Sequence, residues 1–300
     1  MEAGRANLPP GVAPCAGCGA EGLRLLADLS PGGPPSLEGP PRPRLFRCRA
    51  CGLVQVSPRP RPEDLRRHYQ DEYLHRVETR TRLSTGKEPL FHQYLDELGR
   101  ATGGRRLLDV GCGAGDFLAV AGSRGWDAVG LELHRGAARA GAERGVRIFE
   151  GGPEVLPAGR FDAITLWNVL DQMPDPAAEL EAVLERLEPG GVLFVRVPNL
   201  VFHLAAWRAW RLLLPGRRPP TVFHPLVFDG PALGRFLAAR GLVGVRVANS
   251  ALTGSPIPGQ SGLVALLLRP LARGLAALLA AVSAGRLLAS PSLVAWARRP

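Results

Sequence analysis

The segment Leu107-Leu108-Asp109-Val110-Gly111-Cys112-Gly113-Ala114-Gly115-Asp116-Phe117-Leu118 decides the fold of this 300-residue chain. A short apolar run is followed by three alternating glycines, and a helical pattern begins directly after them. This order predicts a buried strand that enters a helix through a turn with few side chains. Glycines there permit positive φ and close approach of a ligand to the backbone, and the helix N-terminus offers unpaired N–H groups. The turn is therefore a candidate site for a polar or anionic ligand.

Two acidic residues distinguish this turn from a dinucleotide-binding turn. The last glycine of a G-x-G-x-x-G motif would fall at position 116, which is Asp116. Asp109 instead precedes the first glycine by two residues, and Glu132 ends the next apolar run. Glu132 follows the turn by about 20 residues, the distance at which such folds place a carboxylate that binds ribose hydroxyls.

The pattern resembles the first motif of class I S-adenosylmethionine (SAM)-dependent methyltransferases. Residues 161–166, 174–176 and 187–199 resemble later motifs of that superfamily in the same order. The resemblance implies a SAM site in which Asp109 and the glycine turn shape the methionine pocket, Glu132 holds the ribose and Glu154 lies near the adenine. The residues expected around this cofactor crevice are Asp109, Gly111, Cys112, Gly113, Gly115, Glu132, Glu154, Trp167 and Asn168.

Strand and helix patterns alternate after residue 100, which predicts right-handed βαβ units and a parallel sheet. Strands are expected at Arg106–Val110, Ala128–Glu132, Val146–Glu150, Phe161–Trp167, Val192–Val197, Leu242–Ala248 and Ser292–Trp296, with helices at Phe117–Arg124 and Pro176–Leu187. The predicted fold class is α/β, a Rossmann-like, seven-stranded class I methyltransferase sheet that is mostly parallel with an antiparallel last strand, preceded by a small zinc ribbon.

Four of the five cysteines form two C-x2-C pairs, each followed by glycine. Two such pairs can bind one tetrahedral zinc ion, because each knuckle directs two thiolates to a common point. The βαβ setting of a redox C-x-x-C is missing around them. The sequence therefore predicts a structural Zn²⁺ held by Cys15, Cys18, Cys48 and Cys51.

The expected organisation has four parts. Residues 1–60 form a zinc ribbon with a Pro/Gly-rich loop, and residues 61–100 form a helical linker. Residues 101–250 form the SAM-binding core, and residues 251–300 form an apolar, basic helical insert with a closing strand. Tyr69 and Tyr73 in the linker either pack against the core or close over the cofactor, and the first interpretation is favoured.

Charge is distributed unevenly along the chain. From Gly190 onward there are 13 arginines and a single acidic residue, Asp229, in the most leucine-rich part of the sequence. Residues 200–214 and 262–290 are therefore candidates for peripheral membrane contact, with a lid packed on the core or solvated arginines as the alternatives. The uncharged run in 262–290 is too short to span a bilayer. Because no apolar signal segment occupies the first 14 residues, we expect a cytoplasmic protein with reduced cysteines.

The sequence defines the methyl acceptor less well than the cofactor. Zinc knuckles with a methyltransferase domain resemble a bacterial group that includes sugar C-methyltransferases and methyltransferases of glycan and natural-product clusters. That group commonly has Glu-His where this chain has Asp171-Gln172, so a base is not expected there. His224 is the candidate general base, because neutral imidazole accepts a proton near pH 7, and structural packing is its alternative role.

These observations predict a SAM-dependent methyltransferase that carries out O- or C-methyl transfer to a small-molecule, sugar or lipid-linked acceptor. One alternative is an RNA methyltransferase that binds RNA through its ribbon, and another is a non-catalytic SAM-binding scaffold. The arginine excess lies at the opposite end from the ribbon, which counts against RNA binding. Asn168 is followed by Val169-Leu170 and not by the Pro-Pro-aromatic sequence that amine and base methyltransferases use, which argues against N-methylation of a flipped base.

Overall fold

A computed structural model describes residues 12–29, 43–61, 63–64, 86–215, 223–251, 274 and 288–300. These residues form two sheets and the helices that pack on them. The strands are β1 (Leu23–Asp28), β2 (Arg44–Cys48), β3 (Val54–Ser57), β4 (Arg106–Val110), β5 (Asp127–Glu132), β6 (Ile148–Glu150), β7 (Phe161–Trp167), β8 (Leu187–Pro198), β9 (Leu226–Val227), β10 (Val243–Asn249) and β11 (Ser292–Arg298). The helices are α1 (Glu88–Ala101), α2 (Asp116–Ser123), α3 (Arg135–Glu143), α4 (Pro176–Leu184), α5 (Leu200–Leu213) and α6 (Gly230–Ala238).

The larger sheet has seven strands in the order β10-β11-β8-β7-β4-β5-β6. Strands β6, β5, β4, β7 and β8 pair in parallel, and β11 pairs antiparallel with both β8 and β10. The predicted Rossmann-like methyltransferase sheet with an antiparallel last strand is confirmed. Because the chain order reverses between β4 and β7, the carboxyl ends of these strands border a crevice.

An aromatic cluster fills one face of this sheet. Tyr94 of α1 and Phe117 of α2 lie against Trp167 of β7 and Phe194 of β8, with ring centroids 4.9 to 5.8 Å apart. Edge-to-face or tilted pairs at this distance each add about 0.5–1.5 kcal/mol beyond the burial of their surface. The helix α1 thus belongs to the methyltransferase core, although the sequence assigns it to a linker.

The helix α4 starts at Pro176 as the sequence predicts, and an aspartate caps both α4 and α6. Asp175 caps α4 by accepting a hydrogen bond from Ala178 N at 3.1 Å, and Asp229 caps α6 by accepting from Ala232 N at 2.9 Å. A proline lies in the first turn of each helix, where its missing N–H costs nothing. The α6 cap also forms an ion pair with Arg47 at 2.7 Å, which joins the core to the cysteine-bearing part of the chain.

The smaller sheet has the order β1-β2-β3-β9 and contains a strand from the core. The strand β9 pairs antiparallel with β3, matching Val54 with Val227 and Gln55 with Leu226. The sequence does not predict this strand, since two residues carry no periodicity. The pairing connects the cysteine-bearing segment to the chain directly after His224.

The helix α5 directs its apolar face at the smaller sheet. Leu200, Leu204 and Trp207 are buried in one cluster with Val54 and Val56 of β3. Leu212 and Leu213 at the end of the helix are exposed. The smaller sheet therefore covers part of the apolar face of residues 200–214.

Other predicted features fall on residues without a described structure. Tyr69 and Tyr73 lie outside the described ranges, as does almost all of the apolar segment 262–290. None of the helices in the described ranges is long and apolar enough to cross a membrane.

Candidate active site

The glycine turn after β4 has the backbone conformation that the sequence predicts. Gly111, Gly113 and Gly115 have φ of 66°, 57° and 77°, values that side-chain-bearing residues rarely adopt. A Cβ on Gly111 would lie 2.5 Å from Cγ2 of Val169, the second residue after β7. The turn thus needs glycine for its conformation and for its close contact with the loop after β7.

Cys112 points away from the cysteine cluster. A Cβ on Gly130 of β5 would lie 2.3 Å from Cys112 Sγ, so glycine makes room for the thiol between neighbouring strands. Burial is the main cause that raises the pKa of the Cys112 thiol far above its usual range. Cys112 therefore shapes the turn as a neutral, packed side chain.

Asp109 lies inside the sheet below the turn and is 2% exposed. Its Oδ1 accepts a hydrogen bond from Thr165 Oγ1 on β7 at 2.6 Å. Burial raises the pKa of Asp109 to about 8, and the Thr165 hydroxyl opposes that rise only in part. A carboxyl with this pKa is largely protonated near neutral pH until a cationic group approaches it.

Glu132 ends β5 and fixes the shape of the glycine turn. Its Oε2 accepts from Gly113 N and its Oε1 accepts from His134 N, both at 2.8 Å. Each oxygen retains a lone pair that can accept from a ligand hydroxyl. Leu133, the next residue, is 66% exposed and offers an apolar surface beside this carboxylate. Leu133 is not among the residues predicted from the sequence, although its position directly after Glu132 could have indicated it.

Glu154 lies on the loop after β6, near Glu132 along the sheet edge. Gly151 N donates to the Glu132 carbonyl at 3.1 Å, which attaches this loop to the end of β5. The exposed Glu154 carboxylate turns back on its own loop and accepts from Gly152 N at 2.9 Å. The structure therefore brings Glu154 to the same edge as Glu132.

Trp167 and Asn168 at the end of β7 face different surroundings. The Trp167 ring packs in the aromatic cluster, 5.1 Å from the Phe91 ring. Asn168 adopts φ of 56°, and its Oδ1 accepts from Arg196 Nη1 at 2.8 Å. Asparagine tolerates this left-handed conformation better than most residues. Strain held in place by a buried hydrogen bond at a strand end is typical of a functional loop.

A buried charged cluster follows directly in the loop after β7. Asp171 is 1% exposed, and neither of its carboxylate oxygens has a hydrogen-bond partner among the described residues. His224, from the segment before β9, places Nε2 4.0 Å from Asp171 Oδ2. Burial raises the pKa of Asp171, while His224 and then Arg196 oppose the rise.

Arg196 and His203 complete this cluster. Arg196 is 9% exposed and donates through Nε to Ser250 Oγ at 3.1 Å, besides its bond to Asn168. His203 Nε2 lies 3.0 Å from the Pro291 carbonyl oxygen, and burial lowers the pKa of His203. His224 was predicted from the sequence, whereas Asp171, Arg196 and His203 were not, because no local pattern indicates that these segments meet.

The four cysteines of the C-x2-C pairs converge in one cluster. Their sulfur atoms all lie within 4.8 Å of one another, with Cys15 Sγ 3.5 Å from Cys51 Sγ and Cys18 Sγ 3.7 Å from Cys48 Sγ. The hydrogen bond between Cys15 and Cys51 lowers the pKa of Cys51 and raises that of Cys15. Cys51 is therefore the first of the pair to ionise, and the thiolate is the form that binds metals.

The fold and the glycine turn are those of a class I methyltransferase domain. A family model described as "Methyltransferase domain" matches residues 66–247, more than half of the chain. The chain belongs to this family.

Comparison with known proteins supports the same class. The ubiquinone biosynthesis O-methyltransferase of Bordetella avium is 32% identical over 120 residues, 37% of this chain and 50% of that protein. Its counterpart in Psychrobacter arcticus is 36% identical over 119 residues, 36% of this chain and 46% of that protein. The chain thus spans about half the length of the curated relatives it matches.

One solved structure has the same fold over most of the chain. The magnesium protoporphyrin IX methyltransferase of Synechocystis PCC 6803 with bound SAH aligns with a TM-score of 0.53 and 12% identity, covering 80% of this chain and all of that one. At this identity the likeness supports the fold alone.

Proposed function

We propose that this enzyme transfers a methyl group from SAM to a hydroxyl oxygen of a small organic molecule, with His224 as the general base. The observation that carries the proposal is the position of His224. It faces the loop after β7, whose Val169 contacts the glycine turn. His224 is 33% exposed, so an acceptor can reach its imidazole from solvent.

The proposed cofactor site lies at the glycine turn and the two strand ends beside it. We propose that Glu132 binds the ribose hydroxyls, that Asp109 and the three glycines shape the methionine pocket, and that Glu154 lies beside the adenine. Bound SAM supplies a methyl group already activated by its sulfonium. The protein must therefore mainly align the acceptor, exclude water and accept one proton.

The relatives favour oxygen as the acceptor atom. The two curated proteins compared above are named as O-methyltransferases. A hydroxyl oxygen loses its proton as it becomes an ether, so a histidine at the acceptor side has a chemical role. The acceptor class is a small molecule with an acidic hydroxyl, such as a phenol.

We also propose that the cysteine cluster holds one structural Zn²⁺. In a tetrahedral ZnS₄ centre with Zn–S bonds of about 2.3 Å, the sulfur atoms are about 3.8 Å apart. The measured distances of 3.5 and 3.7 Å fit this geometry. Four thiolates leave no open position for a substrate, so the ion would stabilise the smaller sheet without taking part in methyl transfer.

The test is an acceptor screen with full-length, zinc-loaded protein. Phenols, catechols, sugar nucleotides and lipid-linked sugars are each incubated with SAM, and methylated products are identified by mass spectrometry. We expect an O-methylated phenol or catechol whose formation His224→Gln slows by about a hundredfold or more, the usual range of general base catalysis. A C-methylated sugar as the sole product, or a His224→Gln variant as active as wild type across the pH range, would reject the proposal.

A further inference from the structure

We infer that Asp171 is the positioning residue for His224: its buried carboxylate orients the imidazole through Nε2 and leaves Nδ1 to accept the proton of the acceptor. This inference rests on the proposed role of His224 as a base. It assigns a function to an acidic residue that occupies, with Gln172, the place where the family commonly has Glu-His.

The first observation that supports this role is the burial of Asp171. A carboxylate that is 1% exposed and lacks hydrogen-bond partners among the described residues is costly to keep ionised. A buried polar group without a partner calls for an explanation, and a catalytic role is one that native structures provide. His224 Nε2, at 4.0 Å, is a nitrogen donor within reach of that carboxylate.

The second observation is the distance between His224 Nε2 and Asp171 Oδ2. A separation of 4.0 Å is an ion-pair contact and is too long for a hydrogen bond. Catalytic hydrogen bonds are often long before the substrate binds and shorten in the complex. A small rotation of the exposed imidazole would bring Nε2–H to Asp171 Oδ2, because the carboxylate itself is held inside the core.

The charged groups near His224 are consistent with Asp171 as the group that stabilises its imidazolium. Among the described residues, Arg196 on β8 interacts electrostatically with Asp171, and His203 on α5 interacts with His224. The guanidinium of Arg196 already donates to Asn168 and Ser250. Burial keeps His203 neutral, since its pKa is lowered. Asp171 is therefore the group that can stabilise the imidazolium of His224.

The proposed step combines methyl transfer to the acceptor oxygen with transfer of the hydroxyl proton to His224. The acceptor oxygen forms a bond to the methyl carbon as the C–S bond of the sulfonium breaks, and the electron pair of that bond goes to sulfur. The hydroxyl proton passes to His224 Nδ1, while Nε2–H stays bonded to the Asp171 carboxylate. The exposed edge of the imidazole then releases the proton to water, so the site returns to its starting state.

The test compares Asp171→Asn with wild type in the complex with S-adenosylhomocysteine. The pKa of His224 is measured by NMR titration, which needs no acceptor. Because the carboxylate favours the charged imidazole, we expect that pKa to fall by about one unit or more in Asp171→Asn. The acidic limb of the kcat/KM profile should move to lower pH by the same amount, with kcat about ten- to a hundredfold lower.

Asp175→Asn is the matched control, since it loses the same charge four residues away and asparagine still caps α4. It should leave the His224 pKa and kcat at wild-type values. Asp171→Asn should keep its melting temperature, because a neutral amide is easier to bury than a carboxylate. An unchanged His224 pKa in this folded variant would overturn the inference. If His224 is not the general base, the His224→Gln variant keeps full activity, and this result is distinguishable from an unchanged His224 pKa in Asp171→Asn.

Discussion

The Glu132 carboxylate accepts a hydrogen bond from the backbone N–H of Gly113 at 2.8 Å, across two parallel strands. The second carboxylate oxygen accepts from His134 N at the same distance. One side chain therefore holds the glycine turn in place and presents its remaining lone pairs to the crevice. This double role makes Glu132 the most informative residue of the proposed cofactor site.

We expect Glu132→Gln to weaken SAM binding by about tenfold to a hundredfold, because hydrogen bonds to a charged group contribute about 1.5–3 kcal/mol. An amide nitrogen facing Gly113 N or His134 N would also repel its former donor. Isothermal titration calorimetry with SAM measures the effect. Glu150→Gln is the control, since Glu150 is in register with Glu132 on β6 but pairs with the exposed Arg135. Equal loss of affinity in both variants would count against the ribose assignment.

Gly111→Ala should destabilise the protein and abolish SAM binding. The new methyl group would lie 2.5 Å from Val169 Cγ2, and alanine at φ of 66° costs roughly 1–2 kcal/mol. Denaturant unfolding measures the loss, which we expect to be about 2–4 kcal/mol when overpacking is included. Gly103→Ala, with nothing within 4 Å of its added Cβ, should be nearly neutral.

The double variant Gly111→Ala/Val169→Ala separates the two causes. It removes the steric contact and leaves the backbone strain, so it should recover part of the stability. No recovery would show that the contact with Val169 does not restrict position 111.

Asp109 should make stability depend on pH. The folded state holds the proton of Asp109 up to its pKa of about 8, whereas the unfolded chain loses it near pH 4. Between these values the folded state binds more protons, so raising the pH lowers the free energy of unfolding by up to about 1.4 kcal/mol per pH unit. Asp109→Asn should lose this component, as measured by denaturant unfolding without SAM. If the free energy of unfolding changed with pH in the same way for wild type and Asp109→Asn, this prediction would be wrong.

Metal analysis should find one zinc ion per chain, lost in Cys48→Ser and retained in Cys112→Ser. The fifth cysteine lies in the glycine turn and not in the cluster. The melting temperature of Cys48→Ser should fall by several degrees, since each 1 kcal/mol moves it by about 2–4 °C in a large domain. SAM affinity should be largely kept, because the glycine turn belongs to the other sheet. Zinc-free wild-type protein with an unchanged melting temperature would reject a structural metal.

Much of the core was predictable from sequence. The strands Arg106–Val110 and Phe161–Trp167 begin and end where the apolar runs do. Buried parallel strands need apolar side chains on both faces, and glycine or polar residues mark their ends. The start of α4 at Pro176 was readable as well, since helix capping depends on residues three positions apart.

Long-range pairings were not predictable. The strand β9 has two residues, and it forms only because β3 supplies an edge with unpaired backbone groups. The apolar face of α5 was assigned to a membrane or to a lid with equal reason, and the sequence did not indicate that its buried residues pack on β3. Amphipathicity indicates that a face is covered and does not indicate by what.

The amino-acid sequence by itself determined the methyltransferase sheet, the glycine turn and its two carboxylates, and the paired cysteines, since each depends on residues close together in the chain. Tertiary structure alone decided that Asp171 meets His224, that Arg196 holds Asn168, and that the cysteine-bearing sheet ends on a strand of the core. These contacts join segments separated by tens of residues. Their partners depend on how the whole sheet brings strand ends together, and no local pattern records that.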